Sequence, residues 1–367
     1  MYVFFYGNET NEHNIAFNRT ASVVAYDVFP VIPSWFFFHL IPVLASLMCL
    51  IGLLGNGVVI FIMLKYPKMT SVPNTYILNL AAADFLFFLG VPFLTYFNTA
   101  RRWTFGNFMC KLVMGIDGMN MFTGIFTLAA MAVDRYFAIV RATFSTKFRS
   151  VFVARFICAV LWLLAVLVTL PLWTYASIEK YDNITVCSIT CSQRVEHIFV
   201  IYSFLTGFVI PLAVIIVCYL SILCFLARQS RKFRRQVSHF GRVSAMVLTT
   251  VVFFFVCWLP FWVTRVIVFV SPSTHTLALQ VVYYLTPVMS YINSCFNPVI
   301  YTWFKDDFRD HLKRCMCTSS HKYKTKTRSK IKDSSISMRQ VQVQNPSRKK
   351  FLYTQTTSNF TINSDTT

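Results

Sequence analysis

Asp117 and Arg135 stand eighteen residues apart in one apolar stretch. At 3.6 residues per turn that is five whole turns, so both side chains leave the same helix face, about 27 Å apart. The distance nearly spans a bilayer core of about 30 Å. Ionisable residues inside a membrane helix are costly and normally face the bundle interior, where they mark a ligand, an ion or a switch. One stripe therefore carries an outer anion and an inner cation, the latter within Asp134-Arg135-Tyr136. Such a stripe belongs to a protein that binds something on one side and reports it on the other. A second carboxylate, Asp84, lies mid-stretch elsewhere, and Asn120, Asn293, Ser294 and Asn297 are its available polar partners. A carboxylate among amide oxygens suits a hard cation such as sodium; a plain hydrogen-bonded network is the alternative.

The elements that would position these residues are membrane helices. The chain is 56% hydrophobic and 13% charged, far more apolar than a soluble protein of its length. Its apolar residues form seven runs, near 38–64, 72–98, 107–140, 152–173, 197–226, 243–270 and 277–303. Only helices or closed barrels satisfy backbone polar groups in lipid, and long runs without strict alternation favour helices. The fold class expected is an all-α membrane protein, a seven-transmembrane helix bundle over 38–303. An outer tail over 1–37 precedes it. A short amphipathic helix over 304–317 and a disordered tail over 318–367 follow.

The net charge of +20 lies almost wholly on one side of these runs. The connectors near Lys65, Arg141 and Arg228, with the tail from Phe304, carry +21, and everything else carries −1. The positive-inside rule places those connectors and the C-terminus in the cytoplasm and the N-terminus outside, as in a multi-pass plasma-membrane protein. Nucleic-acid binding is excluded as the meaning of this charge, because the bases are juxtamembrane, where acidic headgroups attract them.

Modification sites agree with that orientation. The sequons at Asn8, Asn18 and Asn183 fall outside and are expected to be glycosylated, while the one at Asn359 lies in the cytosolic tail. The outside holds Cys110, Cys187 and Cys191, and Cys110 is the anchor for a disulfide to the loop, leaving one thiol over. Phe304, Phe308 and Leu312 recur beside Lys305, Arg309 and Lys313, so this segment reads as a helix lying on the membrane, with palmitoylation expected at Cys315 and Cys317. The tail beyond offers Ser334, Ser335, Ser337, Thr354, Thr356, Thr357 and Ser358 to kinases.

The residues also carry a family resemblance. In order along the runs stand Gly55-Asn56, Leu80-Ala81-Ala82-Ala83-Asp84, Cys110, Asp134-Arg135-Tyr136, Trp162, Pro211 with Tyr219, Cys257-Trp258-Leu259-Pro260 and Asn297-Pro298-Val299-Ile300-Tyr301. The chain resembles a rhodopsin-class G-protein-coupled receptor from Gly55 to Cys317. Around Asp117, in Leu89-Gly90-Val91-Pro92-Phe93-Leu94 and in Tyr291-Ile292-Asn293-Ser294-Cys295-Phe296, it is similar to somatostatin and allatostatin-C receptors; opioid and galanin receptors look like more distant cousins.

The resemblance implies a neuropeptide ligand, a heterotrimeric G protein of the inhibitory class, and arrestin and receptor kinases acting on the tail. It implies that Asp117 pairs with a cation on the peptide, with Phe97, Met121, Trp258, Trp262, Arg265, Tyr284 and Tyr291 as further ligand positions. The activation switch would comprise Asp134, Arg135, Tyr136, Tyr219, Phe254, Trp258, Pro260, Asn297, Pro298 and Tyr301. Cys187 matches the family's disulfide position better than Cys191, and sodium would be the one small cofactor, held by Asp84, Asn120, Asn293 and Asn297. The sequence departs from the family at Gly124, where relatives supply a hydroxyl, and at Phe97 and Arg265, where somatostatin receptors carry neutral amides.

Phe254, Trp258 and Trp262 recur at four-residue spacing, which is a switch stripe in that family and otherwise an aromatic core stripe. No metal-ligand cluster, phosphate loop or nucleophile with its base is visible, so an enzyme is not expected. The seventh run lacks the lysine that a retinal protein needs. A transporter or channel with buried charges is the alternative reading.

Overall fold

The computed structural model describes residues 5–6, 39–100, 102–141, 149–181, 184–228, 238–270 and 277–316. The chain forms two compact units, residues 1–309 and 310–367. Among the described residues of the first unit there are seven long helices. They are Ile41–Lys65, Val72–Ala100, Gly106–Ile139, Val151–Val168, Gln193–Arg228, Ser238–Val270 and Leu277–Phe304. The first six are long and apolar enough to cross a membrane. They are called the first to seventh helices below. The sequons at Asn8, Asn18 and Asn183, Cys317 and the tail phosphorylation sites lie outside the described residues, as do the side chains of Tyr284 and Cys315.

Local chemistry sets the helix ends. Ser150 caps the fourth helix by accepting from the Val153 N–H at 3.2 Å, which satisfies one of the open donors of a first turn. Its other end, at Thr169, comes before the predicted run does: the Thr169 hydroxyl turns back to the Ala165 carbonyl at 2.7 Å, and a separate short helix Leu170–Tyr175 follows. Gly106 opens the third helix at a φ of +82°, a conformation that costs other residues a steric penalty. The fifth helix begins at Gln193, earlier than its apolar run, and loosens into a π turn over Leu205–Val209 before Pro211. The amphipathic helix is shorter than expected, Asp306–Met316.

The third helix is the axis of the bundle. Nineteen of its residues are buried, against three of the fourth helix. Charges on its face are therefore enclosed by protein, while Val43, Leu64, Phe152, Phe156 and Val217 of other helices are exposed and would face lipid. Small residues permit the close contacts: a Cβ on Gly118 would meet Leu172 at 2.2 Å, and one on Gly115 would meet Trp173 at 2.4 Å. A buried polar chain ties three helices together. The Trp162 indole donates to the Asn79 carbonyl oxygen at 2.8 Å, and the Asn79 amide donates to the Thr127 hydroxyl at 2.8 Å.

Between the fourth and fifth helices the chain makes an antiparallel hairpin, Ala176–Tyr181 with Ile184–Thr190, in which Ile178 faces Cys187. Phe5–Tyr6 adds to its second strand in parallel. A Cys110–Cys187 disulfide joins the start of the third helix to this hairpin, Cα to Cα 5.7 Å. Trp103 fixes the preceding loop, its N–H donating to the Thr185 carbonyl at 2.6 Å.

Candidate functional site

Two buried clusters lie on the third helix, one toward the disulfide end and one at the opposite end, with the Asp84 network between them. Asp117 is seven residues past Cys110, about 10 Å along the axis, and its side chain is buried. On the same side of the bundle Trp258, Phe261 and Trp262 form an unbroken aromatic run, with ring centroids 5.7 Å and 5.2 Å apart. The fifth helix closes on it through its π turn. There Gly207 lies so near that a Cβ would meet Phe122 at 2.8 Å and Trp262 at 3.2 Å. The indole N–H groups of Trp258 and Trp262 are buried without a hydrogen-bond partner among the described residues. Buried donors of this kind call for a partner, which a water or a ligand can supply.

The other expected ligand positions are placed differently. Phe97 packs edge-on against Trp103, centroids 5.8 Å apart, beneath the loop that carries the disulfide. Tyr291 lies against Phe87 and Phe88 in an apolar cluster shared by the first, second and seventh helices. Arg265 rests its guanidinium on the Phe261 ring, 5.2 Å from the centroid, a cation–π contact that holds the charge at the edge of the aromatic run. Met121 is fully buried one turn below Asp117. Cys191 is a free thiol beside the disulfide, and burial, then Glu196, push it up to about 11. It therefore stays a thiol at neutral pH and is a poor nucleophile for exchange.

Asp84 accepts from the Ser294 hydroxyl at 2.6 Å and from the Asn297 amide at 2.8 Å, and Asn120 also bonds to it from the third helix. Ser294, rather than its neighbour Asn293, makes the direct contact; the two residues point about 100° apart on a helix. The oxygen atoms Asn120 Oδ1 and Asn297 Oδ1 are buried without partners among the described residues. One carboxylate and two open amide oxygens fit a hard monovalent cation. Gly124, where a hydroxyl was expected, gives its space to the Phe254 ring, 3.6 Å from an added Cβ. The same ring stacks on Trp258 at 5.8 Å, so the aromatic stripe reaches the third helix at Gly124.

At the far end Arg135 is buried, and both its Nε and its Nη2 donate to Asp134 Oδ2. A third residue, absent from the sequence reading, joins them: Arg149 donates from Nε to Asp134 Oδ1 at 2.6 Å and from Nη2 to Oδ2 at 3.2 Å. The described hydrogen bonds of Arg135 stay within this trio. The link between the fifth and sixth helices is made instead by the Tyr219 hydroxyl, which donates to the Ser244 carbonyl at 3.0 Å. Just past the seventh helix the Lys305 ammonium bonds to Asn74 Oδ1. Burial, with Arg135 nearby, lowers this amine to about 8.

A central helix with a buried anion below a disulfide-pinned hairpin, and an arginine-carboxylate pair at its other end, defines the class of seven-helix membrane receptors. The model for 7 transmembrane receptor (rhodopsin family) matches residues 55–301, and the chain belongs to that family. It is 39% identical over 285 residues to somatostatin receptor type 5 of Mus musculus, covering 76% of this chain and 78% of that one. Somatostatin receptor type 3 of Homo sapiens is 37% identical, covering 77% and 69%. Somatostatin receptor type 1 of Rattus norvegicus is 34% identical, covering 76% and 72%. The transporter or channel reading finds no support in these matches.

Proposed function

We propose that the protein is a plasma-membrane receptor for an extracellular cationic neuropeptide of the somatostatin or allatostatin-C type, signalling through an inhibitory-class G protein. The observation that carries this reading is Asp117. It is a buried carboxylate on the axial helix, on the same side of the bundle as two buried indoles whose N–H groups have no partner among the described residues. The hairpin end faces outside, because the bases gather at the Asp134 end. A peptide side chain with an ammonium tip and an aromatic neighbour is the chemistry that Asp117, Trp258 and Trp262 would take. Arg265, set on Phe261 and near the Glu196 carboxylate, adds positive charge at the edge of the aromatic run.

The receptor works as a two-state device, and a ligand drives it only through tighter binding to the open state. Contacts at Trp258 and Trp262 bear on the sixth helix just either side of Pro260, where the missing backbone bond lets the helix swing. Opening has to break the Tyr219–Ser244 bond and loosen Arg135 from Asp134 before a G protein enters. Arrestin and receptor kinases would follow on the tail. Purified protein in vesicles with an inhibitory-class G protein, exposed to a panel of secreted neuropeptides, tests the reading: nucleotide exchange driven by a lysine-containing somatostatin-type or allatostatin-C-type peptide supports it, and exchange driven only by acidic peptides overturns it.

Asp134→Asn is expected to raise ligand-independent nucleotide exchange. A charge-assisted hydrogen bond is worth about 1.5–3 kcal/mol, so losing one that favours the closed state shifts the closed-to-open ratio by about 10-fold or more. Unchanged basal exchange at equal receptor density would contradict the restraint.

A sodium ion between the second, third and seventh helices would supply positive charge to Asp84, with Asn120 and Asn297 turning their oxygens to it; Ser294 and Asn293 would flank the site. Gly124→Ser adds an oxygen there, and its Cβ sits in ordinary contact with Phe254 and Leu80 at 3.6 and 3.8 Å. Tenfold tighter sodium binding would be about 1.4 kcal/mol, a rise of roughly 3 °C in the melting temperature. The variant should gain this rise in sodium chloride over the same concentration of N-methylglucamine chloride. Equal melting in the two salts would favour a plain hydrogen-bonded network.

A further inference from the structure

Outside the peptide path the bundle holds a cavity, of about 330 Å³, between the second, third and fourth helices at their Asp134 end. Its walls are Tyr76, Val133, Phe137, Val153 and Ile157, and its polar end is formed by Asp134, Arg149 and Ser150. Nothing in the receptor reading uses this space, yet its volume lies in the range of ligand pockets. The cavity opens sideways, because Phe152, Val153, Phe156 and Phe137 around it are exposed apolar residues. In a membrane protein such a mouth opens into lipid.

The charges at the polar end choose the occupant. One carboxylate, Asp134, faces two guanidinium groups, Arg135 and Arg149, and exposed Arg141 and Arg155 lie close by in sequence. Arg135 is buried, but a quarter of the Arg149 side chain is exposed. Its described bonds use Nε and Nη2, while a guanidinium carries five N–H donors in a fork suited to phosphate and carboxylate. The orientation taken above puts this end in the cytoplasmic leaflet, whose surface is anionic.

We propose that this cavity binds one acyl chain of an anionic phospholipid, with the headgroup on Arg149. The headgroup and Asp134 then draw on the same guanidinium. The site thereby couples inner-leaflet lipid to the ion-pair trio of the switch, without touching the peptide pocket. The inference rests on the proposed orientation but not on the identity of the peptide.

The test uses the full chain in phosphatidylcholine nanodiscs containing a trace of phosphatidylserine or phosphatidylcholine with a photoreactive diazirine in the acyl chain. Cross-linked peptides covering 130–137 and 153–157 are measured by mass spectrometry. The phosphatidylserine probe should label them about fivefold more than the phosphatidylcholine probe, the preference one arginine gives near a membrane surface. Arg149→Gln, which removes the charge and leaves the apolar walls in place, should remove the preference, and Arg149→Lys should keep most of it. Ala130→Phe, which fills the cavity from the third helix, should lower labelling by both probes while the melting temperature holds. Equal labelling by the two headgroups in the parent protein would overturn the proposal, as would displacement by a sterol with no response to Arg149→Gln.

Discussion

Asp117→Asn is expected to cost the cognate peptide at least about 30-fold in potency while leaving receptor density at the surface unchanged. The substitution keeps size and hydrogen-bonding capacity, so the buried third helix can pack as before. What it removes is the counter-charge. Truncating one partner of a buried hydrogen-bonded charge pair costs about 2–5 kcal/mol, because the remaining charge is left unpaired in a low-dielectric site. Each 1.4 kcal/mol is a factor of about ten in affinity. Radioligand displacement and nucleotide exchange, both on the same membranes, measure it. Original potency at normal density would mean that Asp117 is satisfied within the protein and does not meet the ligand.

Cys187→Ser is expected to have the largest effect on the fold. The disulfide closes a separation of 77 residues and is what holds the hairpin against the third helix, and removing a native disulfide costs about 2–5 kcal/mol. The ligand-free receptor should lose about 5–15 °C in melting temperature. Cys110→Ser and the double variant should lose the same amount rather than twice as much, since either change breaks one bond. Cys191 is a buried free cysteine four residues after Cys187 and takes no part in the pair, so mass mapping of Cys187→Ser should find Cys110 free. A Cys110–Cys191 bridge in that variant would show that the loop can re-pair, and an unchanged melting temperature with Cys110 free would show that the hairpin is held by its other contacts.

Much of this architecture was legible from simple periodicities, and the failures are specific. The third run, expected near 107–140, is the helix Gly106–Ile139, because an apolar stretch with one polar stripe permits little else. The fourth run misled at its end: hydropathy continues through Leu170, Leu172 and Trp173, but Pro171, with no N–H and a ring that clashes one turn back, interrupts the helix there. The start of the fifth helix was hidden for the opposite reason, since Gln193, Arg194 and Glu196 are polar while the helix they begin is continuous with the apolar part.

The site was legible where residues lie on one helix and obscure where several helices meet. Spacing alone sets Asp117 and Arg135 on one face. It does not distinguish Ser294 from Asn293 as the donor to Asp84, because their choice depends on how the seventh helix is rotated. Arg149 left no periodic signal at all. It lies fifteen residues beyond Asp134, past a connector, and only the N-cap at Ser150 indicates where the next helix brings it back. Gly124 reads as a lost ligand in the sequence. In the fold it is also the space that lets Phe254 reach the third helix.

The central claim is that Asp117 pairs with a cation of the peptide, and a double-mutant cycle measures that pairing directly. Affinities would be determined for the parent receptor and Asp117→Asn, each with the active peptide and with the same peptide carrying norleucine in place of its lysine. The account predicts that either change alone weakens binding by at least about 2 kcal/mol and that the two together cost little more than one, a coupling of about 1.5 kcal/mol or above. Losses that simply add, with a coupling near zero, would contradict it.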